Sequence, residues 1–140
     1  MARIKHIAIR TPDPEKTAAF YKDVFGLKEV GQARTGCYLS DGYINLAILN
    51  WKTEEKDADV GPNGSNYSGI HHIGFEVDGL EEACAQLDKA QGTCITQKEG
   101  LDNAMGPRGP RNFEMKWAGP DGVVIDVSHT GWDISVTPTP

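Results

Sequence analysis

The sequence is short of cysteine, has no long apolar run and carries no excess of positive charge. Its three cysteines (Cys37, Cys84 and Cys94) are an odd number and show no CxxC spacing, so reduced thiols in a cytoplasmic protein are the default expectation. No apolar stretch approaches the roughly 20 residues of a membrane span, and the first residues lack the apolar core of a signal peptide. We therefore expect a cytoplasmic protein with no membrane partner.

Lysine and arginine number 14 against 20 aspartates and glutamates, which gives a formal net charge of −6 at pH 7. This deficit of positive charge argues against nucleic acid or an anionic membrane surface as the main partner. A hydrophobic content of 39% and a charged content of 24% are typical of a soluble globular chain. With 140 residues the chain is long enough for one domain with a real core.

A histidine-bearing strand pattern occurs twice in the sequence. His6 lies in IKHIAIR near the N-terminus, and His72 lies in GIHHIGFEV, 66 positions later. At the same separation Gly26 falls on Gly92, and each glycine closes a helical run. Because the match spans strand, helix and helix end, we interpret the chain as two copies of one strand–helix–strands unit.

The first copy opens with a strand and a helix. Residues 3–10 alternate in the manner of a strand rich in isoleucine. Asp13 suits the N-cap of the helix that follows, and Gly26 suits its left-handed C-cap. We predict that this helix buries a stripe spaced i, i+3, i+4 and i+7, which consists of Thr17, Phe20, Tyr21 and Val24.

Three short strands complete the first copy. Their predicted positions are about 28–32, 36–40 and 43–49, and Asp41-Gly42 is a strong hairpin signal between the last two. The first copy is therefore a βαβββ module, which we place at about residues 3–50. A connector rich in charge and turn formers follows at about 51–68 and is expected to be exposed.

The second copy repeats this order over about residues 69–132. Its predicted elements are a helix at Leu80–Ala90 ended by Gly92 and strands at Thr93–Gln97, Phe113–Trp117 and Val123–Ser128. Both modules then form a single domain at residues 1–134. The Thr/Pro-rich end at 135–140 is expected to be disordered.

The second copy also carries an insertion. The two Asp-Gly hairpins lie 80 positions apart, which is 14 more than the separation of the histidines. The extra residues fall in the Gly/Pro-rich loop from Lys98 to Arg111, and a loop present in one copy only is a place where substrate specificity tends to be set. Arg108 and Arg111 are candidates to bind a substrate carboxylate or phosphate, with solvated loop arginines as the alternative.

A carboxylate lies inside the apolar last strand. Asp126 interrupts the run VVIDV, and a carboxylate there requires a partner that stabilises its charge. With His6 and His72 it makes two imidazoles and one carboxylate, the facial arrangement of non-haem Fe(II) sites, which Mn, Ni or Zn can also occupy. The alternatives are a pair of core histidines, and an ion pair of Asp126 with Arg10 or Lys116.

Two further residues are close to His72 in sequence. Glu76 faces the same side of the strand and is a candidate catalytic base, with a solvent-exposed strand end as the alternative. Strict alternation places His71 on the opposite face, where we expect a surface or interface residue.

The motifs together resemble a known family. HIAIR, AAFYKDVFGLK, HHIGFEV and GPDGVVIDV, arranged in two βαβββ copies, are similar to the vicinal oxygen chelate superfamily over roughly residues 3–132. That superfamily includes glyoxalase I, bleomycin-resistance proteins, methylmalonyl-CoA epimerase, fosfomycin-resistance proteins and extradiol dioxygenases. The resemblance implies an α+β fold in which each βαβββ module curls into half of a metal-holding barrel, and it implies a homodimer.

The resemblance also implies metal ligands on the first and last strand of each module, here His6, His72 and Asp126. The last-strand ligand of the family is usually Glu, and the shorter Asp126 reaches less far. A fourth ligand position is expected on the last strand of the first module. It falls on Leu46 when the two Asp-Gly hairpins are aligned, and on Asn45 when Trp51 is aligned with Trp132. Leu46 would leave three protein ligands, as in the dioxygenase and fosfomycin-resistance branches, and Asn45 would be a poor fourth ligand; we favour three ligands and leave the residue open.

Two functions follow from the resemblance. The first is an enzyme with one divalent metal per site (Fe²⁺, Mn²⁺, Ni²⁺ or Zn²⁺) that acts on a small substrate chelated through vicinal oxygens, by glyoxalase-like lyase or isomerase chemistry or by extradiol-type dioxygenation. The second is a metal-independent small-molecule or drug-binding protein of the bleomycin-resistance type. The ligand trio favours the enzyme, because a pure binding protein has no use for it.

Overall fold

The computed structural model describes residues 2–50, 67–95 and 114–135. Over these ranges the chain forms eight strands and two α-helices. In chain order they are β1 (Arg3–Arg10), α1 (Pro14–Phe25), β2 (Lys28–Ala33), β3 (Gly36–Ser40), β4 (Asn45–Leu49), β5 (Gly69–Glu76), α2 (Leu80–Lys89), β6 (Thr93–Cys94), β7 (Met115–Ala118) and β8 (Val124–Ser128). Nearly all of the predicted connector, the Lys98–Arg111 loop and the last five residues lie outside the described ranges.

The eight strands form one sheet in the order β2-β3-β4-β1-β5-β8-β7-β6. β1 pairs in parallel with β4, and β5 pairs in parallel with β8. The two modules meet where β1 and β5 pair antiparallel, which we call the module seam. Each side of the seam repeats the same order of four strands, so the predicted α+β fold of two tandem βαβββ modules is confirmed.

Each helix packs its module's core against one face of the sheet. The two core clusters are Ala18, Cys37, Leu39 and Ile48 in the first module, and Leu80, Met115, Trp117 and Val127 in the second. Because side chains alternate along a strand, Asp126 lies on the face opposite its neighbour Val127. That second face carries the histidines.

The predicted caps of α1 are confirmed, but its predicted inward stripe is only half right, because Tyr21 packs on the core cluster and Thr17 is half-buried while Phe20 and Val24 are exposed. Asp13 Oδ1 accepts a hydrogen bond from Lys16 N at 3.2 Å, and Gly26 adopts φ 70°. The buried side chain of the helix is Ala18, whereas Phe20 and Val24 are 55% and 57% exposed. Ala18 has a small side chain, which lets the helix lie close to β3 and β4 and leaves Phe20 and Val24 on the solvent side.

Helix α2 ends within one residue of its prediction. Its last helical residue is Lys89, Ala90 is its C-cap, and Gln91 adopts the left-handed conformation with φ 67°. Gly92 instead donates its N–H to Leu87 O at 2.8 Å. A Cβ at Gly92 would lie 3.3 Å from the Trp117 ring, so this glycine serves close packing rather than a left-handed turn.

The strands lie close to their predicted positions, and the turns between them account for the differences in where they begin and end. β4 begins at Asn45 because Asp41 Oδ1 accepts hydrogen bonds from the N–H groups of Tyr43 (2.9 Å) and Ile44 (2.8 Å) and keeps both in the turn. A short 3-10 turn at Pro120–Gly122 separates β7 from β8. The predicted Thr93–Gln97 strand ends at Cys94, and its last two residues lie outside the described ranges.

None of the helices in the described ranges combines the length and the apolar composition that a membrane crossing requires.

Candidate metal centre

Four side chains that can bind a metal meet on the face of the sheet opposite the helices. They are His6, His72, Glu114 and Asp126, and one ligand atom from each lies within 4.8 Å of the others. The predicted trio of His6, His72 and Asp126 comes from β1, β5 and β8, which are neighbours in the sheet. Glu114, immediately before β7, was not predicted. The structure therefore brings the trio together and adds a second carboxylate.

The approach of these side chains across the module seam depends on Gly74. This residue lies opposite His6 in β1 and opposite Asp126 in β8. A Cβ at this position would lie 2.6 Å from His6 Cβ and 2.7 Å from the Trp132 ring, which is closer than real Cβ atoms approach. Glycine is required here because both aromatic rings pass over the strand.

The orientation of His6 is fixed from two sides. Trp132 stacks on its ring, with centroids 4.6 Å apart and an interplanar angle of 3°. Asn45 Nδ2 donates to Asp133 O at 2.7 Å, so Asn45 Oδ1 is the atom that lies 2.8 Å from His6 Nδ1. An amide oxygen only accepts hydrogen bonds, which means that His6 Nδ1 carries the proton and Nε2 has a bare lone pair.

Burial lowers the pKa of His6 from 6.5 to about 4, while the nearby Glu114 carboxylate acts in the opposite direction. His6 is therefore neutral at pH 7. A neutral imidazole whose Nδ1–H is held by a neighbour presents Nε2 as a ready metal ligand.

The two candidates for the fourth ligand position, Asn45 and Leu46, lie on opposite faces of β4. Asn45 pairs with His6 in the sheet and is buried beside it, whereas Leu46 packs on the first core cluster under α1. Of the two residues considered from the sequence, Asn45 and not Leu46 therefore lies beside His6, and the preference for three protein ligands stays a prediction. A slip of one residue exchanges the two faces of a strand, so aligning the hairpins instead of the tryptophans gave the wrong side chain.

The spacing of the donor atoms suits a divalent metal. His72 Nε2 lies 3.1 Å from His6 Nε2 and 2.9 Å from Asp126 Oδ2. First-row divalent metals bind nitrogen and oxygen at about 2.1 Å, so neighbouring ligands lie about 3.0 Å apart in octahedral and about 3.4 Å apart in tetrahedral coordination. Two imidazoles with carboxylates are also the donor types that zinc and other first-row divalent metals accept. The residues present therefore fit such an ion.

Glu114 is held beside the trio. Trp132 Nε1–H donates a hydrogen bond to Glu114 Oε1. Burial raises the pKa of the Glu114 carboxyl, and the adjacent Asp126 raises it further. Lys116 lies on the same face, with Nζ 3.3 Å from Asp126 Oδ1 and 3.7 Å from Glu114 Oε2. The ion pair of Asp126 with Lys116, considered from sequence as an alternative, is thus present together with the histidine contact.

The sequence contained a signal for Glu114. In EMKW the polar Glu114 and Lys116 alternate with Met115 and Trp117, and the latter two pack in the second core cluster. Alternation alone therefore places Glu114 on the face of Asp126. The hairpin predicted around Asp121-Gly122 also placed this strand beside β8, which the structure confirms, so the two signals together could have identified Glu114.

Other predicted residues lie elsewhere or outside the described ranges. Glu76 does not belong to the cluster of four, and its carboxylate is packed so closely on Gly131 that a Cβ there would collide with it. Arg10 donates to Tyr67 O at 3.0 Å. Arg108 and Arg111 lie outside the described residues.

His71 does not occupy the surface position expected for it. It is buried, and its Nδ1 lies 2.7 Å from His72 Nδ1. The pairing of β5 with β1 skips one residue at this point, because Ala8 pairs with His72 and Ile9 with Ile70. Such a β-bulge breaks the alternation on which the prediction relied.

Comparison with known proteins gives the family. The profile of the Glyoxalase/Bleomycin resistance protein/Dioxygenase superfamily matches residues 3–127, which is most of the chain. The chain belongs to this superfamily. The resemblance inferred from the motifs is thereby confirmed.

Individual relatives are enzymes by name. The chain is 29% identical over 100 residues to human mitochondrial methylmalonyl-CoA epimerase, a match that covers 64% of this chain and 54% of that protein. It is 31% identical over 110 residues to Schizosaccharomyces pombe lactoylglutathione lyase, covering 61% and 36%. A solved methylmalonyl-CoA epimerase in complex with methylmalonyl-CoA and NH4+ superposes with a TM-score of 0.62 at 21% identity, covering 91% of this chain and 93% of that one. The chain thus spans about half or less of the curated relatives' length, and the structural match concerns the fold alone.

Proposed function

We propose that this protein is a divalent-metal-dependent enzyme that moves a proton at a carbon next to a carbonyl of a small substrate chelated through vicinal oxygens, as an isomerase or lyase. The observation that carries the proposal is the convergence of two imidazoles and two carboxylates within 4.8 Å on a buried face. The names of the relatives support it, because epimerisation of a methylmalonyl thioester requires a carbon to lose and regain a proton.

In this proposal His6, His72 and Asp126 hold the metal. When bound, the metal supplies a Lewis acid that polarises the carbonyl and makes the adjacent C–H more acidic. Lys116 offsets part of the negative charge of Asp126 and Glu114, since its ammonium lies within 4 Å of both carboxylates. This charge balance lets two carboxylates share one buried site.

Glu114 is the proton carrier of this site. Its raised pKa brings the carboxyl closer to the pH at which an enzyme works, which is favourable for a general base. The hydrogen bond from Trp132 fixes Oε1 and leaves Oε2 to take the proton from carbon and return it. Glu76 remains a second candidate base from sequence, although it lies outside the cluster of four.

The second carboxylate favours proton transfer over the oxygen-using branch. Three-ligand facial triads leave their open positions to substrate and dioxygen. Here a fourth side chain, Glu114, faces the same space and supplies a base, which dioxygen chemistry does not require. We therefore place the isomerase or lyase reaction first.

The test combines metal content with proton exchange. Wild type, His72→Ala and Glu114→Gln are purified without chelator, reconstituted with Fe²⁺, Mn²⁺, Ni²⁺ or Zn²⁺, and analysed by elemental mass spectrometry. Each is then incubated in D₂O with methylmalonyl-CoA or lactoylglutathione, and deuterium uptake at carbon is followed. We expect wild type to bind one metal and exchange, and His72→Ala to do neither.

Glu114→Gln separates the roles of the two carboxylates. We expect it to keep the metal and to lose exchange by about a hundredfold or more, the usual contribution of a general base. Loss of metal in this variant would make Glu114 a ligand instead. A wild type that takes up no metal would overturn the proposal and favour the metal-independent binding protein, and oxygen uptake with a catechol would favour the dioxygenase.

A further inference from the structure

The two histidine-bearing strands bulge at equivalent places. In the pairing of β1 with β5, one extra residue on β1 is Lys5 and one extra residue on β5 is His71. These two residues are 66 positions apart, the period of the repeat, and each directly precedes the histidine of its module. A bulge re-aims side chains relative to the regular pleat, so each module can place a different group next to its histidine.

The first module does not use its bulge residue to hold the ring. Lys5 Nζ donates to Tyr43 O at 3.1 Å, away from the cluster. His6 Nδ1–H is held instead by Asn45 on the neighbouring strand β4. In the second module Asp126 on β8 lies 2.9 Å from His72 Nε2, so it holds that nitrogen and leaves Nδ1 to another partner.

That partner is the bulge residue. His71 Nδ1 lies 2.7 Å from His72 Nδ1, and the two rings meet edge to face at an interplanar angle of 86°. Two imidazole nitrogens at this distance share one proton, because two lone pairs or two N–H groups would repel each other. The proton therefore belongs either to His72 or to His71.

The two possibilities have opposite consequences for a metal. When His72 carries the shared proton, its Nε2 is bare and faces the bare His6 Nε2 and Asp126 Oδ2, an arrangement of lone pairs that a cation would stabilise and that would otherwise be repulsive. When His71 carries it, neutral His72 has its own proton on Nε2, and that proton occupies the place of the metal. Binding thus requires His71 to act as the hydrogen-bond acceptor.

We propose that His71 is a positioning residue that accepts the Nδ1–H of His72 and so fixes His72 in its metal-binding tautomer. This inference rests on the proposed function, since it concerns the same metal. Removal of a hydrogen-bonding partner behind a histidine ligand costs about 10–100-fold in metal affinity.

Cobalt binding tests the inference without any assay of activity. Co²⁺ is titrated into metal-free wild type, His71→Phe, His71→Asn and Lys5→Gln, and the visible absorption of the bound ion gives the dissociation constant and reports the geometry. His71→Phe keeps the ring but has no acceptor, whereas His71→Asn places an oxygen near the position of Nδ1. Lys5→Gln changes the equivalent bulge residue of the other module, and circular dichroism checks the fold of each variant.

We expect His71→Phe to bind Co²⁺ about 10–100-fold more weakly than wild type, with His71→Asn and Lys5→Gln close to wild type. Equal losses in His71→Phe and His71→Asn would overturn the inference, because volume and not the acceptor would then matter. Unchanged affinity in both would overturn it as well, while leaving the proposed function intact. A wild type that binds no Co²⁺ would overturn the proposed function and this inference with it.

Discussion

At the scale of single residues, burial decides which protonation states the centre can adopt. His6 has its pKa lowered to about 4 chiefly by burial, whereas burial raises the pKa of Glu114. Both shifts favour the neutral form, as expected where charge is poorly solvated. The neutral imidazole can bind a metal, and the carboxyl with a raised pKa can exchange a proton.

We expect the metal-free protein to lose stability as the pH falls from 6.5 towards 4, the pKa values of His6 before and after burial. In this window the unfolded chain binds a proton at His6 that the folded protein resists, so unfolding takes up protons and the free energy of unfolding declines. The full effect is about 3 kcal/mol. Urea unfolding in the presence of EDTA, at several pH values, measures it.

The matched variant for this measurement is His6→Gln. It lacks the titrating ring, so its unfolding free energy should fall less steeply over the same pH range than that of wild type. The raised pKa of Glu114 acts with the opposite sign, because its protonation on acidification favours the folded state. That contribution is present in both proteins and cancels to first order in their difference. Parallel curves would contradict a buried neutral His6.

At this scale the sequence revealed the three predicted metal ligands but not the residues that contact them. His6, His72 and Asp126 were selected because two histidines at one repeat position and a carboxylate in an apolar strand are unusual. Glu114 was missed although two signals together place it near Asp126: the alternation in EMKW and the predicted hairpin of this strand with β8. His71 escaped because a bulge has no signature in the alternation of residue types.

At the scale of elements, the two helices begin in different ways. Asp13 caps α1 with its carboxylate, whereas Gly79 at the start of α2 has no side chain with which to cap. Glu82 lies three residues after Gly79, the spacing of a capping box. A Cβ at Gly79 would lie 3.4 Å from its nearest neighbour, an ordinary contact, so a larger residue fits.

We therefore expect Gly79→Ser to raise the free energy of unfolding by about 0.5 kcal/mol, because serine can accept a hydrogen bond from the first turn. Asp13→Ala should lower it by about 1 kcal/mol, since it removes the corresponding bond in α1. Both changes lie away from the cluster of four and should leave metal affinity unchanged. Urea unfolding of the two variants beside wild type gives the comparison, and a destabilised Gly79→Ser would contradict it.

The ends of elements were easier to predict than their faces. Asp13, Gly26 and the Asp41-Gly42 turn act through local backbone bonds, which the sequence displays directly. The buried face of α1 depends instead on its distance from the sheet, and Ala18 rather than Phe20 or Val24 sets that distance. The predicted stripe was therefore too broad: Thr17 and Tyr21 lie on the buried side with Ala18, and Phe20 and Val24 do not.

At the scale of the whole molecule, the cluster joins the two modules. His6 comes from the first module, and the other three side chains come from the second. All four belong to one chain, so a single chain is able to supply the whole cluster. The homodimer and the cytoplasmic location remain predictions.

A metal bound across the module seam should stabilise the protein as a unit, because it binds only when both modules are folded and paired. At a free metal concentration 100 times its dissociation constant, the free energy of unfolding should rise by about 2.7 kcal/mol. His72→Ala should show no such increment. Urea unfolding with Zn²⁺ or with EDTA, repeated over a wide range of protein concentrations, measures the increment. We expect it to be the same at every concentration, even if the protein dimerises, because each site draws its ligands from one chain. An increment that disappears on dilution would instead mean that a second chain contributes to the site.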